Sequence, residues 1–167
     1  MYNNKSKKNK RTMRSQYENR KSKIIKGNNN KTMKSISKKP NDKQKSHIVK
    51  IFLEMLNMVK LYHWKTHSYA QHKATDDLYS KLNEQIDNFV EILLGKDESR
   101  IKTIEKKIEL VDFKKVGDFK SRVYDYREFL IDLNMYFDSR RDSDLLNIRD
   151  EILGSINQFL YLLTFDK

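Results

Sequence analysis

From Ser46 onward the apolar positions recur with a period near 3.6 residues. Phe52, Leu56, Val59 and His63 fall on one face, which predicts a first helix over 47–66. Ser68 and Gln71 stand three apart, as the N-cap and N3 residues of a capping box. A second helix is therefore expected from 69 to about 94, with Leu78, Leu82, Ile86, Phe89 and Leu93 as its core stripe and Gly95 as a left-handed stop. Val123, Tyr126, Leu130, Leu133 and Phe137 predict a third helix over roughly 117–137. Leu145, Ile148, Ile152, Ile156, Phe159 and Leu163 predict a fourth over roughly 144–164. The charged connection 96–116 includes a short predicted helix over 99–111.

The loop lengths convert these elements into a topology. Short connections make the first two helices, and the last two, antiparallel neighbours, while about 22 residues between the pairs can travel the length of a bundle. The expected class is all-α, a ferritin-like four-helix bundle with one long crossover. No strand pattern, Gly-rich phosphate loop or Ser/His/Asp set competes with it.

Charge divides the chain in two. Residues 1–46 hold 16 Lys and Arg against Glu18 and Asp42, whereas the rest holds 19 basic and 21 acidic residues. The first segment is too poor in large apolar side chains to offset its ordering entropy, so 1–46 is expected to be a disordered basic arm and 47–167 the folded domain. A tail of this charge aids solubility, reflects a codon bias towards Lys and Asn, or binds a polyphosphate without sequence readout. DNA contacts would come from Lys5, Lys7, Lys8, Lys10, Arg11, Arg14, Arg20, Lys21, Lys23, Lys26, Lys31, Lys34, Lys38 and Lys39, with RNA or another polyanion as alternatives. The chain has no cysteine, which excludes disulfides and thiolate metal sites. It has no membrane-length apolar run and no apolar stretch of a signal peptide, so an intracellular protein without membrane contacts is expected.

The second helix carries the chemistry. His72 with Asp76, and Asp87 with Glu91, repeat one four-residue spacing. At 100° per residue all four lie within about 100° of one another, on a stripe roughly 130° from the core face. Along the axis Asp76 and Asp87 are about 16 Å apart, so one metal cannot touch both pairs of a single chain. Two arrangements fit. The stripe is a solvated face, as most charged stripes are, or two chains pack this helix against itself about a two-fold axis. The second option lays His72 and Asp76 beside the partner's acidic pair and makes the site twice. Tyr79 and Val90 would floor that interface, and His63 would join the first half-site.

These residues resemble the Dps family, the ferritin-like DNA-protecting proteins. His63-Trp64 matches the end of the family's first helix, and His72, Asp76, Asp87 and Glu91 match the spacing of its second. The resemblance implies a ferroxidase centre shared across a two-fold interface, with His63, His72, Asp76, Asp87 and Glu91 as metal ligands. It further implies iron as the metal, mononuclear or di-iron (Zn and Mn suit the same donors), assembly up to a dodecamer, and DNA binding by a Lys-rich arm. The corner between the helices is shorter than usual in that family, so His67 is an alternative ligand. Trp64 is a candidate to stand directly behind the ligands, although core packing is its commoner role. The run around His63 also resembles an uncharacterised ferritin-like group from large DNA viruses and phages, which implies no activity. Besides a DNA-binding iron oxidase of cytoplasm or nucleoid, the sequence therefore admits a structural DNA-condensing or virion-associated protein, and a shell component using its arm for other contacts. His47 is expected on the surface at a helix start, and Tyr124, Tyr126 and Tyr136 in core or interface.

Overall fold

The computed structural model describes residues 39–113 and 115–165, so the expectations for 1–38 lie outside the described residues. Four helices follow in order: α1 (Asp42–Lys65), α2 (Tyr69–Gly95), α3 (Val116–Asp132), which runs into a 3₁₀ turn over Leu133–Met135, and α4 (Ser143–Leu162). There is no strand among the described residues.

α1 begins five residues earlier than the periodicity predicts. Asn41 Oδ1 accepts from Gln44 N at 3.0 Å and Gln44 Oε1 accepts from Asn41 N at 2.8 Å, a complete capping box. Asp42 in the first turn adds a favourable charge at the positive end of the helix. Lys45 and Ser46, expected in the arm, are consequently buried in the helix, and Lys45 Nζ reaches Asp97 at 2.5 Å and Ser99 at 2.9 Å. His47 is not at a helix start; it is half-buried, 3.2 Å from Glu105 and edge-on to Phe129.

The predicted core stripes of α2, α3 and α4 are all buried. Phe52 sits at their centre, edge-on to Phe89 at 5.2 Å and to Phe129 at 6.0 Å. Side chains of this size contribute about 1.5–3 kcal/mol each on full burial. Contacts along the helices give their directions. α1 and α2 are antiparallel, with Phe52 against Phe89 and His63 against His72. α2 and α4 are antiparallel through Lys81–Gln158 and Gln85–Ser155. α3 runs antiparallel to both α1 and α4: Phe119 stacks on Tyr62 and meets Phe159, while Arg149 donates to the Leu130 carbonyl. Each neighbouring pair in the ring α1–α2–α4–α3 is therefore antiparallel, and α2 and α3 point the same way. That polarity requires a connection spanning the bundle from the end of α2 to the start of α3.

Residues 96–115 are that connection, and they correct the helix expected over 99–111: this segment is an extended strap. Ser46, Lys50, Glu54 and Met58 form a row along α1, four residues apart. Ser46 Oγ accepts from Ile104 N and Glu105 N at 2.9 and 3.1 Å, Glu54 Oε1 from Glu109 N at 2.8 Å, and Met58 Sδ from Val111 N at 3.3 Å. The row from 46 to 58 is about 18 Å long. Residues 104–111 must cover it at about 2.6 Å each, beyond the 1.5 Å rise of a helix but within reach of extended chain. Gly95 is not the left-handed stop either; the positive φ at this turn belongs to Glu98, at 52°. No helix among the described residues is long and apolar enough to cross a membrane.

Candidate metal centre

The corner between α1 and α2 is built from polar residues that hold one another. Ser68 Oγ caps α2 by accepting from Gln71 N at 3.2 Å. The Ser68 N–H donates to Thr66 Oγ1 at 3.2 Å, and Gln71 Oε1 accepts from Tyr62 Oη at 2.5 Å and Thr66 Oγ1 at 2.8 Å. The side chain of Gln71 thus joins the two helices, and the last turn of α1 is fixed against the first of α2.

This rigid corner brings His63 and His72 face to face. Their rings stack with centroids 3.9 Å apart and planes 25° from parallel. His63 Nδ1 lies 3.0 Å from the His72 carbonyl oxygen, and His72 Nδ1 lies 3.1 Å from the His63 carbonyl oxygen. A carbonyl only accepts, so each Nδ1 carries a proton, and the lone pair of the corresponding neutral tautomer lies at Nε2. Metal-ligating histidines are held in this way, with the second ring nitrogen donating to a carbonyl or carboxylate. Thr75, fully buried one turn on, completes the support: its Oγ1 bonds the Gln71 and His72 carbonyls at 2.8 and 3.0 Å and lies 3.4 Å from His63 Nδ1.

Asp76 brings a carboxylate to the same place. Its Oδ1 is 3.9 Å from His63 Nε2. Two ligands bonded to one metal at about 2.1 Å stand roughly 3 Å apart, so Asp76 needs to close by about 1 Å. Its side chain is 46% exposed and has the freedom to do so. Lys60, one turn before His63 on α1, places Nζ 3.9 Å from the same Oδ1 and lies over the rings of Tyr79 and Trp64. It is a tethered positive charge beside the candidate carboxylate.

The other sequence candidates lie elsewhere. Asp87 and Glu91 are exposed on the lower half of α2 and make no ion pair or hydrogen bond with any described residue. His67 is exposed and lines a separate pocket of about 240 Å³ with Tyr62, Lys65, Ser68 and Phe113. Trp64, for which core packing is the commoner role, is 69% exposed. Tyr126 is buried, Tyr136 half-buried and Tyr124 exposed. Of the basic set proposed for DNA, only Lys39 is among the described residues, and its Nζ donates to the Lys96 carbonyl at 3.4 Å. Within one chain, no three His, Asp or Glu side chains among the described residues converge closely enough to enclose a metal. Lys60 and Thr75 escaped the sequence reading, although each lies three residues from a candidate histidine and so on a neighbouring helical position.

The chain belongs to a family of unknown function (DUF5856), whose pattern matches residues 63–163. That span opens at His63 and includes all five predicted ligands. No curated protein and no solved structure matches the chain.

Proposed function

We propose that the protein is a ferritin-like, Dps-like oligomer that binds Fe(II) between paired chains and contacts DNA through its basic arm. The paired histidines carry this reading. Stacked imidazoles, one buried and one half-buried, with both Nδ1 atoms committed to carbonyls do little to build a helix corner, and aim two Nε2 atoms at a cation. The bundle's helix directions and single long crossover support the ferritin-like arrangement.

His63, His72 and Asp76 form half of the centre. Asp87 and Glu91 of a second copy, related by a two-fold axis along α2, complete it, and symmetry makes two such centres per pair. Imidazole nitrogen and carboxylate oxygen suit Fe(II), and Zn(II) or Mn(II) fit the same donors. Around the substrate ion each residue has a separate task. The histidines bind without a change of tautomer, and the carboxylates supply the negative charge that favours a trivalent over a divalent ion. Lys60 opposes cation entry until Asp76 turns away from it. The charge surplus of residues 1–46 supports DNA binding by counterion release, which weakens steeply as salt rises.

The test uses two variants. Asp76→Ala and Asp87→Ala each damage every centre of a homodimer, so each abolishes Fe(II) and Zn(II) binding at this site. A verified hybrid dimer of the two chains regains about half the wild-type binding, because one of its two centres pairs intact halves. No rescue in the hybrid refutes the shared centre. A wild type that binds DNA and no metal assigns the protein a structural role on DNA instead.

A further inference from the structure

Away from the histidine corner, the face between α1 and α3 buries a second polar cluster. Glu54, at the middle of α1, is 1% exposed; Arg122 and Tyr126, at the middle of α3, are 8% and 1% exposed. Glu54 Oε1 is occupied by Glu109 N of the strap and by Lys50. Its Oε2 lies 4.0 Å from Arg122 Nη2, and Asp125 Oδ2 lies 4.0 Å from Arg122 Nη1. Both distances are too long for a hydrogen bond. Arg122 Nε and Nη2 and the Tyr126 hydroxyl are buried and make no contact of full hydrogen-bond length with any described residue; the guanidinium approaches the phenol oxygen only at longer range. The guanidinium instead lies against the tyrosine ring, 5.4 Å from its centroid. Burial holds the Tyr126 hydroxyl far above the usual phenol range, with the nearby guanidinium opposing that rise.

Three buried polar atoms without partners would each carry the desolvation cost of an unmade bond. A single small molecule removes that cost. Groups 4.0 Å apart cannot bond each other, yet both are reachable from one oxygen at ordinary hydrogen-bond length. The free groups on Arg122 are donors, so the molecule must accept. It must also donate if it is to reach Glu54, which only accepts. The positive charge is already matched by Glu54 and Asp125, so no further anion is called for. Water meets all of these conditions.

We infer a buried hydration site at the middle of the bundle, where ordered water joins Arg122, Tyr126 and Glu54 and ties α3 to the strap-bearing face of α1. Tyr126→Phe tests it by sign. If the hydroxyl is bridged by water, its removal lowers the folding equilibrium constant of the full-length protein about fivefold. If the hydroxyl has no partner, its removal leaves stability unchanged or raises it, and the inference fails. A direct bond from Arg122 to the hydroxyl would lower stability too, so a high-resolution crystal structure of the wild type separates the two, and decides alone should the variant not fold. Water within hydrogen-bond distance of Arg122 Nη2 or Nε and of Tyr126 Oη supports the site. Direct closure of Arg122 on Glu54 or Tyr126, or a bromide peak there after soaking, overturns it.

Discussion

His72 and Asp76 near the start of α2, and Asp87 and Glu91 towards its end, share one spacing and one stripe, but the fold treats them differently. The upper pair is held from behind. His72 is stacked on His63 and bonded to its carbonyl, and Thr75 supports the same turn. The lower pair stands in solvent with no partner among the described residues. Helical periodicity cannot distinguish the two, because spacing fixes only direction from the axis. A corner only three residues long, Thr66–Ser68, creates the difference by folding α1 back onto one end of α2 and not the other. The upper half is organised within one chain, and in the proposed centre the lower half is organised only by a second copy.

The largest effect that bears on this contrast is on metal affinity. His63→Ala removes one donor and the ring on which the other stacks, and should weaken Zn(II) binding on the order of 100-fold or more. Asp87→Ala should cause a comparable loss in calorimetric titration although Asp87 makes no ion pair or side-chain hydrogen bond with any described residue of its own chain. A loss for His63→Ala alone would make the upper half the whole site.

Stability should show the reverse asymmetry. Thr75→Val deletes a buried hydroxyl with two carbonyl partners and should cost about 1 kcal/mol in urea unfolding. Asp87→Asn and Glu91→Gln should each change stability by less than about 0.5 kcal/mol, as exposed substitutions do. Equal costs would remove the distinction between a supported and an unsupported half.

Lys60→Met should tighten Zn(II) binding about threefold, the weight of one screened charge several ångströms from the ion. Weaker binding would instead make Lys60 a support for Asp76.

The smallest effect lies at the opposite end of α1, where the strap begins. The hydrogen bond from Lys45, helped by Ser99, depresses the Asp97 pKa to about 2. The folded value is below the unfolded one, so this contact stabilises the protein above about pH 4 and its contribution is lost as pH falls towards 2. Partial exposure of Asp97 keeps the effect modest. Asp97→Asn should flatten the fall in stability over that interval in acid unfolding while leaving metal binding at neutral pH unchanged.

Much of this architecture is legible in the chain. The stripes of α2, α3 and α4 name their buried residues because each helix has one wet and one dry face. The start of α1 was hidden because Asn41 and Gln44 sit in a Lys-rich run whose composition outweighs a four-residue cap signal. The strap misleads for a different reason. Ile101, Ile104 and Ile108 have helical spacing, but the N–H groups of 104, 105, 109 and 111 find partners on α1, which only an extended chain can reach together. At the site, residue spacing identified the candidate ligands, whereas their reciprocal carbonyl bonds depend on how two helices meet. Tertiary contacts of that kind leave no period in a sequence.

Anomalous diffraction from crystals of the full-length protein soaked with Zn(II) or, anaerobically, Fe(II) tests the shared centre most directly. The account predicts two symmetry-related peaks per chain pair, each bounded by His63, His72 and Asp76 of one copy and by Asp87 and Glu91 of its partner. A peak enclosed by the residues of one chain, or soaked crystals with no peak at the histidine corner, would contradict it.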